Sequence, residues 1–303
     1  MPPLIACAPG TPIDVAELVE ALDTARVDVR DDDSLAALAP LLHRLGANRR
    51  FLADRAIAIL AGRDGAAPAG GGYGPQVVLL DRPNARHVLR ANFWPAAEDA
   101  VTRASGEAAF VYGMVHDHPF AFLTHGYLGP GYWSDYFEVD GPAPAGLAGE
   151  AVALRPTGRH RLEPGTTRLY RAHRDVHAQL PPDAFSVSLN ILFADPMLRW
   201  RDQYRFDTAR GRIAEVLSAT AAEALLTVAV ATGDGVDLAR HFARHHPVAR
   251  MRATAIEALA GAVHPVELHP LLERACDDPS PRVARIARHL AEQIPAPPPD
   301  PAT

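Results

Sequence analysis

The stretch GMVHDHPF, residues 113–120, decides how this sequence is interpreted, because it places two histidines two positions apart. We predict a strand here, in which side chains at positions i and i+2 point to the same face. His116 and His118 can then bind one metal ion together, while Asp117 points to the opposite face. A third ligand has to come from a neighbouring strand on the same wall.

A second histidine-bearing stretch lies downstream, YRAHRDVHAQL at residues 170–180. His173 and His177 are four positions apart, so in a regular strand both point to the same face. Either of them can supply the third ligand if this strand lies on the same wall as His116 and His118. Spacing alone leaves the choice between the two open.

The region from about residue 76 to residue 193 consists of short runs rich in β-branched and aromatic residues. Clusters of Gly, Pro and Asp separate the runs and indicate turns. Eight short strands with no intervening helical period favour an antiparallel barrel or jelly roll. The runs are QVVLLD, HVLRANFW, AAFVYGMVHDH, GYWSDYFEVD, EAVALRP, GTTRLYRA, HAQL and FSVSLNILF.

Helical patterns flank this β region on both sides. Before it, IDVAELVEALDTA, SLAALAPLLHRLG and FLADRAIAILAG have apolar residues at helical spacing, and Ser34 can cap the second of them. DGAAPAGGGYGP, residues 64–75, is typical of a linker. After the β region, RIAEVLSATAAEALLTVAVAT at residues 212–232 predicts one long helix. The chain is therefore predicted to be an α+β multidomain protein with an N-terminal helical segment (1–66), a barrel with the metal site (75–198), a helical region (207–292) and a disordered tail (293–303).

Two segments of the C-terminal region resemble each other, at a period of about 34 residues. PVARMRATAIEALAGA and DDPSPRVARIARHLAEQI share a proline, a Val-Ala-Arg triplet, small residues and a leucine. The turn from Asp278 to Val283 resembles the turn of HEAT repeats, which stack into helical arrays with a concave groove. We therefore expect a HEAT-like stack that binds a protein partner or forms a homodimer.

Composition excludes several classes of protein. The formal net charge of −6 does not favour nucleic-acid binding, and no apolar run approaches the length of a membrane span. With two cysteines and no basic-plus-apolar leader pattern, we expect a cytoplasmic protein without a disulfide framework. All 30 basic residues are arginine, which excludes a Schiff-base lysine and a lysine-dependent phosphate loop.

Together the two histidine stretches resemble the two metal-binding motifs of the cupin superfamily, over residues 85–193. The resemblance implies a jelly roll and selects His177 as the third ligand, because a Pro-Gly turn, a strand and a polar corner precede it. Cupins usually carry a glutamate four or five residues after the second histidine, where this sequence has Phe122 and Leu123. The remaining three-histidine set resembles cysteine dioxygenase-like thiol dioxygenases, which hold Fe(II) and leave positions open for substrate and O2.

Other positions of that family have counterparts here, with some departures. Arg90 lies 26 residues ahead of His116, close to where the family places an arginine that binds the substrate carboxylate. Asn190 replaces the histidine of a Ser-Leu-His strand, and Leu192 stands where the family has a tyrosine. Neither cysteine lies near the site, so the resemblance does not extend to a thioether crosslink.

Further side chains are candidates for roles beside the metal. His173 lies in the corner before His177, and His125 follows His118 by seven residues, so we consider both as acid–base groups. A guanidinium binds a carboxylate bidentately, which suits an arginine at a substrate site. The candidate substrate-binding residues are Arg90, Tyr112, Tyr127, Tyr170 and Asn190.

The sequence thus predicts a metal-dependent cupin oxygenase that oxidises a carboxylate-containing substrate with O2. The substrate is expected to be a small molecule or a residue on a peptide or carrier. Nitrogen ligands favour Fe(II), with Zn, Ni, Cu and Mn as rivals. Two alternatives stay open, a metal-dependent isomerase or lyase that needs no O2, and a non-enzymatic cupin that senses a ligand or a metal.

Overall fold

The computed structural model describes residues 1–62, 76–84, 86–141, 144–194 and 197–294. The predicted linker at 64–75 and most of the predicted disordered tail lie outside these residues. The chain divides into two compact units, each with its own core. Unit 1 comprises Met1–Gly141, Ala151–Leu198 and Gln203–Arg212, and unit 2 comprises Pro142–Glu150, Arg199–Asp202 and Ile213–Thr303.

Two antiparallel sheets form the centre of unit 1. One has six strands in the order β1-β7-β4-β9-β3-β2, and the other has three in the order β6-β5-β8. The predicted antiparallel β region is therefore present, but in the described residues its strands form separate sheets rather than one closed barrel. The strands are β1 (Leu4–Ile5), β2 (Val77–Leu79), β3 (His87–Trp94), β4 (Phe122–Leu128), β5 (Trp133–Asp140), β6 (Ala153–Arg161), β7 (Thr167–Tyr170), β8 (Asp175–Leu180), β9 (Ser186–Phe193) and β10 (Tyr204–Asp207).

Helices cover one face of the six-stranded sheet. Asp14 caps the first helix through a capping box with Glu17, and Asp31 caps the second. Ser34 therefore lies inside the second helix rather than at its start, which corrects the predicted cap. The helices of unit 1 are α1 (Val15–Thr24), α2 (Asp32–Ala36), α3 (Ala39–Ala47), α4 (Phe51–Leu60) and α5 (Ala100–Ser105), with short 3-10 helices at Glu107–Phe110 and, where the chain leaves this unit, Leu198–Trp200.

The two faces of β4 have different neighbours, as the alternation of a strand requires. Leu123 and Tyr127 belong to the core that the sheet shares with the N-terminal helices. Phe122 points the other way and packs with Tyr170 of β7 and Tyr136 of β5. The two sheets therefore face each other across an aromatic layer, and the helices pack on the outer face of the larger sheet.

The segment before β4 departs most from the sequence prediction. The strand predicted over AAFVYGMVHDH is replaced by the 3-10 helix Glu107–Phe110 and an irregular segment. Val111 and Gly113 both have positive φ, at 62° and 73°, which a strand cannot accommodate. The strand β4 itself, over FLTHGYL, was not among the eight predicted runs.

In the described part of unit 2, five α-helices pack around a core of mostly aliphatic side chains. The predicted long helix over 212–232 is wrong, because strand β11 (Arg212–Val216) takes its first part. Arg250 and Arg282 occupy the second position of the third and fifth helices, and both pair with Asp202, at 2.8 Å and 2.7 Å. The helices are α6 (Ala221–Ala231), α7 (Val236–His245), α8 (Ala249–Ala260), α9 (Pro265–Cys276) and α10 (Pro281–Gln293).

The length and hydropathy of the helices can be compared with those of a membrane-spanning helix. None of the helices in the described part of the chain combines the length and hydropathy that crossing a bilayer requires.

Candidate metal centre

Three histidines converge in unit 1. The ligand nitrogens of His116, His118 and His177 all lie within 4.8 Å of one another. Their ring centroids are 4.7 to 5.2 Å apart. Among the described residues, this is the group of histidine, cysteine or acidic side chains whose geometry suits one metal ion. We call these three residues the histidine triad.

Two backbone hydrogen bonds join two members of the triad, His116 and His177. His177 lies on β8, whereas His116 lies outside the named strands and forms an isolated bridge to it. The N–H of each residue donates to the carbonyl oxygen of the other, at 2.9 Å in both directions. Val115 and Asp117 also exchange backbone hydrogen bonds with β10, so the ligand segment is fixed between β8 and β10.

Hydrogen bonds set which ring nitrogen is available in two of the three histidines. Nδ1 of His116 contacts the carbonyl oxygen of Met114 at 2.8 Å, and Nδ1 of His177 contacts that of Asp175 at 3.1 Å. A carbonyl oxygen only accepts, so both Nδ1 atoms carry the proton and both Nε2 atoms keep a lone pair. Nε2 of His177 is fully buried and has no hydrogen-bond partner within the described part of the chain.

The surroundings of the triad favour the neutral form of all three imidazoles. Burial lowers the pKa of His116, and it lowers the pKa of His177 well below its ordinary value, with a smaller contribution from the neighbouring His116. Burial also dominates the lowered pKa of His118, followed by His116, His177 and the charge of Arg90. Neutral imidazoles with lone pairs are the form of histidine that binds a metal ion. The donor set therefore fits a divalent metal.

Asp117 contacts the corner that carries His173. Its Oδ2 accepts a hydrogen bond from Nδ1 of His173 at 2.8 Å, and its Oδ1 accepts one from the N–H of Tyr204 at 2.7 Å. The N–H of His173 donates to the carbonyl oxygen of His118 at 2.9 Å. His173 thus lies beside the triad without joining it, and its φ of 58° is unusual for a residue other than glycine.

Buried tyrosines adjoin the triad on its inner side. The ring of Tyr170 meets that of His177 edge-on at 4.8 Å, and it stacks on Phe122 at 4.4 Å. The hydroxyl of Tyr170 is 2.7 Å from that of Tyr136, which is paired with His177 across the β5–β8 ladder. Sequence reasoning did not single out Tyr136, because only the register between β5 and β8 reveals that it faces this site.

Arg90 and Asn190 are direct partners on the paired strands β3 and β9. Asn190 is buried and also lies opposite Thr124 of β4. The charge of Arg90 contributes to the lowered pKa of His118, which places the guanidinium within electrostatic range of the triad. Both predicted substrate-binding residues thus lie on the sheet that carries Phe122.

The remaining predicted residues lie elsewhere in unit 1. His125 and Tyr127 point from β4 towards the N-terminal helices, where His125 meets the ring of His43 at 5.4 Å. The hydroxyl of Tyr127 donates to the carbonyl oxygen of Asn48 at 3.1 Å. Tyr112 belongs to a separate aromatic cluster and donates to the carbonyl oxygen of Pro95 at 2.8 Å. The structure does not bring these three side chains to the triad.

Comparison with known proteins gives distant structural similarity. No protein-family model and no curated protein matches the sequence. Among solved structures, the chain is similar to a hydroquinone 1,2-dioxygenase in complex with Cd2+ and 4-hydroxybenzonitrile, with 16% identity and a TM-score of 0.26, over 42% of this chain and 68% of that chain. It is also similar to a DMSP lyase from Ruegeria pomeroyi DSS-3, with 15% identity and a TM-score of 0.26, over 64% of this chain and 79% of that chain.

A third similar structure is a cupin domain from Bordetella pertussis Tohama I, with 13% identity and a TM-score of 0.22. The alignment covers 41% of this chain and 98% of that chain. Identities and TM-scores as low as these do not indicate a shared activity.

Proposed function

We propose that unit 1 is a cupin in which the histidine triad holds a divalent metal ion. Nε2 of His177 carries this proposal, because it is a buried lone pair that has no hydrogen-bond partner in the described residues and faces two further imidazoles. A buried polar atom without a partner costs free energy, which a bound cation would recover. Fe(II) is the first choice for three nitrogen ligands, with Zn, Ni, Cu and Mn as rivals.

The reaction proposed is the oxidation of a carboxylate-containing substrate with O2, the substrate being a small molecule or a residue on a peptide or carrier. Bound Fe(II) would supply open coordination positions and electrons for oxygen chemistry. Arg90 would bind the carboxylate through its planar guanidinium, and Asn190 opposite it would offer an amide to the same substrate. Tyr170 and Phe122 would exclude water from the inner side of the site.

His173 is the proposed proton-transfer residue. Asp117 accepts from its Nδ1–H, so Nε2 is the nitrogen that can take up or release a proton. Its side chain is 38% exposed, which allows exchange with solvent, whereas the side chain of Asp117 is 2% exposed. We expect His173→Gln to lower turnover by about 100-fold and to leave metal content unchanged. Equal metal loss and activity loss would contradict this role.

Metal identity and oxygen uptake test the proposed function together. The full chain is purified without chelators, its metals are measured by elemental analysis, and the Fe(II) form is presented with carboxylate-containing thiols, amino acids and peptides in an oxygen electrode. We expect stoichiometric metal and substrate-dependent O2 uptake. Protein that holds only zinc and consumes no O2 would overturn the oxygenase.

A lyase or isomerase that needs no O2 is the second candidate. The hydroxyl pair of Tyr136 and Tyr170 favours it, because the two phenols lie beside His177 and can relay a proton between them. Turnover of a substrate in strictly anaerobic solution by the metal-loaded chain would select this candidate. Bound metal without any turnover, and with a conformational response to a ligand, would select a sensor.

We further propose that the helices of unit 2 form a HEAT-like stack for a protein partner or a second copy. Its support is the matching placement of Arg250 and Arg282, which both contact Asp202 from the second position of their helices. Sedimentation of the full chain over a range of concentrations tests the homodimer.

A further inference from the structure

A groove of about 870 Å³ lies between α1 and α4 in unit 1, away from the histidine triad. Val15 and Val19 form part of its lining from α1, one helical turn apart, and both pack only partly against the core of the unit. Phe51 of α4 and Leu80, which follows β2, extend this apolar lining. The groove thus exposes the edge of a hydrophobic core rather than a polar surface.

The helix α4 leaves much of its apolar surface uncovered. Its sequence FLADRAIAIL is mostly apolar, yet only Phe51 and Leu52 are buried. Ile57 and Leu60 are 57% and 88% exposed. A helix on the surface of a globular protein ordinarily turns its apolar stripe inward and its polar residues outward. Neither of these two side chains lines the groove, whose own apolar lining from α4 is Phe51 and Ala58.

Carboxylates surround this apolar lining. Five acidic side chains line the groove, and Arg55 is the one basic side chain among the described residues that do so. The carboxylates on the two helices are exposed. Asp14 also caps α1, and Asp54 lies 3.7 Å from Arg50 of its own chain, whose guanidinium is itself exposed. A surface of this charge is complementary to a cationic partner and repels an acidic one. The five are Asp14, Glu20, Asp23, Asp54 and Asp81.

We propose that this groove is a docking site for an amphipathic helix of another protein, with an apolar face flanked by arginine or lysine side chains. Two helices form its walls, and a third helix laid between them buries an apolar face as helix-in-groove complexes do. The cationic flanks would pair with the carboxylates of α1 and α4. The groove contains no residue of the histidine triad, so this proposal can be tested independently of the metal site.

Fluorescence anisotropy with a defined probe tests the proposal. The probe is a labelled helical peptide of about 14 residues, long enough for about four turns, with leucine on one face and lysine beside it. Its control is the same peptide with every lysine replaced by glutamate. We expect the full chain to bind the lysine peptide and to bind the glutamate peptide at least about tenfold more weakly. Equal binding of the two peptides would overturn the proposal.

A charge variant and a matched control locate the binding site. The triple variant Glu20→Gln, Asp23→Asn and Asp54→Asn should weaken binding of the lysine peptide about tenfold, because each exposed pair contributes modestly. This difference should shrink as salt rises from about 0.05 M to about 0.5 M. The control removes three exposed carboxylates outside the groove, Glu98→Gln, Asp234→Asn and Glu292→Gln.

A large side chain placed in the groove tests whether the peptide binds there. Ala16 is exposed and lines the groove, whereas Ala56 is exposed on α4 and does not line it. We expect Ala16→Trp to abolish binding of the lysine peptide and Ala56→Trp to retain it, with unchanged circular dichroism in both. Wild-type binding by both the triple variant and Ala16→Trp would overturn the proposal. So would self-association of the wild type that the triple variant abolishes, since it would assign the groove to a second copy.

Discussion

Two groups of buried and half-buried histidines lie on opposite sides of the six-stranded sheet, and they differ in the atoms that their ring nitrogens contact. On the side of Phe122, the triad nitrogens lie within 4.8 Å of one another. On the helix side, Nδ1 of His125 is 2.8 Å from the hydroxyl of Thr167, and its ring lies against Gly46 and His43. Burial lowers the pKa on both sides, so burial and a low pKa do not by themselves identify a metal site. The two groups differ instead in that the ligand nitrogens of the triad converge.

Strand alternation separates the two groups. Phe122 and His125 are three positions apart on β4, and an odd spacing puts them on opposite faces. His125 follows His118 by only seven residues, which is why the sequence made it a candidate for the same site. Proximity in sequence therefore suggested the wrong face of the sheet for His125. Only the orientation of β4 in the structure shows that His125 faces the helices.

The largest expected effect comes from removing one nitrogen on each side. His177→Ala should abolish stoichiometric metal binding, because two imidazoles hold an ion far more weakly than three. His125→Asn should keep the metal of the wild type. Elemental analysis of both proteins after identical purification measures the difference. Retained metal in the first variant, or lost metal in the second, would break the contrast between the two sides.

The second effect is on stability against acid. Burial, with the charges of His43 and Arg49, lowers the pKa of His125 to about 4. The unfolded chain takes up this proton near pH 6.5 and the folded chain only near pH 4, so stability is full above pH 6.5 and falls as the pH drops through this window. The loss is at most about 3 kcal/mol.

Urea unfolding of chelator-treated protein between pH 7 and pH 4 measures this slope. His125→Asn cannot titrate there, so its unfolding free energy should fall less steeply than that of the wild type. The triad histidines titrate in the same direction and supply the remaining slope in both proteins. Parallel curves would mean that His125 has the same pKa in the folded and unfolded chains, which would contradict the lowered pKa.

The third effect is the smallest and concerns packing. A Cβ atom at Gly46 would lie 2.2 Å from Nε2 of His125, so α3 and β4 meet here without room for a side chain. We expect Gly46→Ala to destabilise the protein by about 1 to 3 kcal/mol. In the His125→Ala background the same change should cost much less, because the clashing ring is gone. Thermal or urea unfolding of the four proteins measures this coupling.

Alternation and turn residues were sufficient to predict much of the β region. The run HVLRANFW is strand β3, and the runs GYWSDYFEVD and FSVSLNILF contain strands β5 and β9. The His-x-His pair and the later histidine also come together as expected. These features are local, or follow from a short motif whose spacing restricts the geometry.

The failures arise where tertiary contacts override local propensity. The aromatic and β-branched residues of AAFVYGMVHDH predict a strand, but left-handed Val111 and Gly113 break it. His116 and His118 still converge, because bridges to β8 and β10 replace the missing strand. No sequence pattern predicts those bridges, and none predicts the register that places Tyr136 opposite His177. Pairing between distant segments is therefore what the sequence could not supply.

The reciprocal backbone pair between His116 and His177 has a consequence for metal discrimination. Because each N–H donates to the other residue's carbonyl oxygen at 2.9 Å, the backbones of His116 and His177 are tied directly to each other. His118 is outside that pair and half-buried, tied through its carbonyl oxygen to the N–H of His173. In the proposed metal site, we therefore expect ions of different radius to be accommodated mainly by displacement of His118. The tolerance of the proposed site towards ionic size would then depend on this imidazole and on the corner that restrains it.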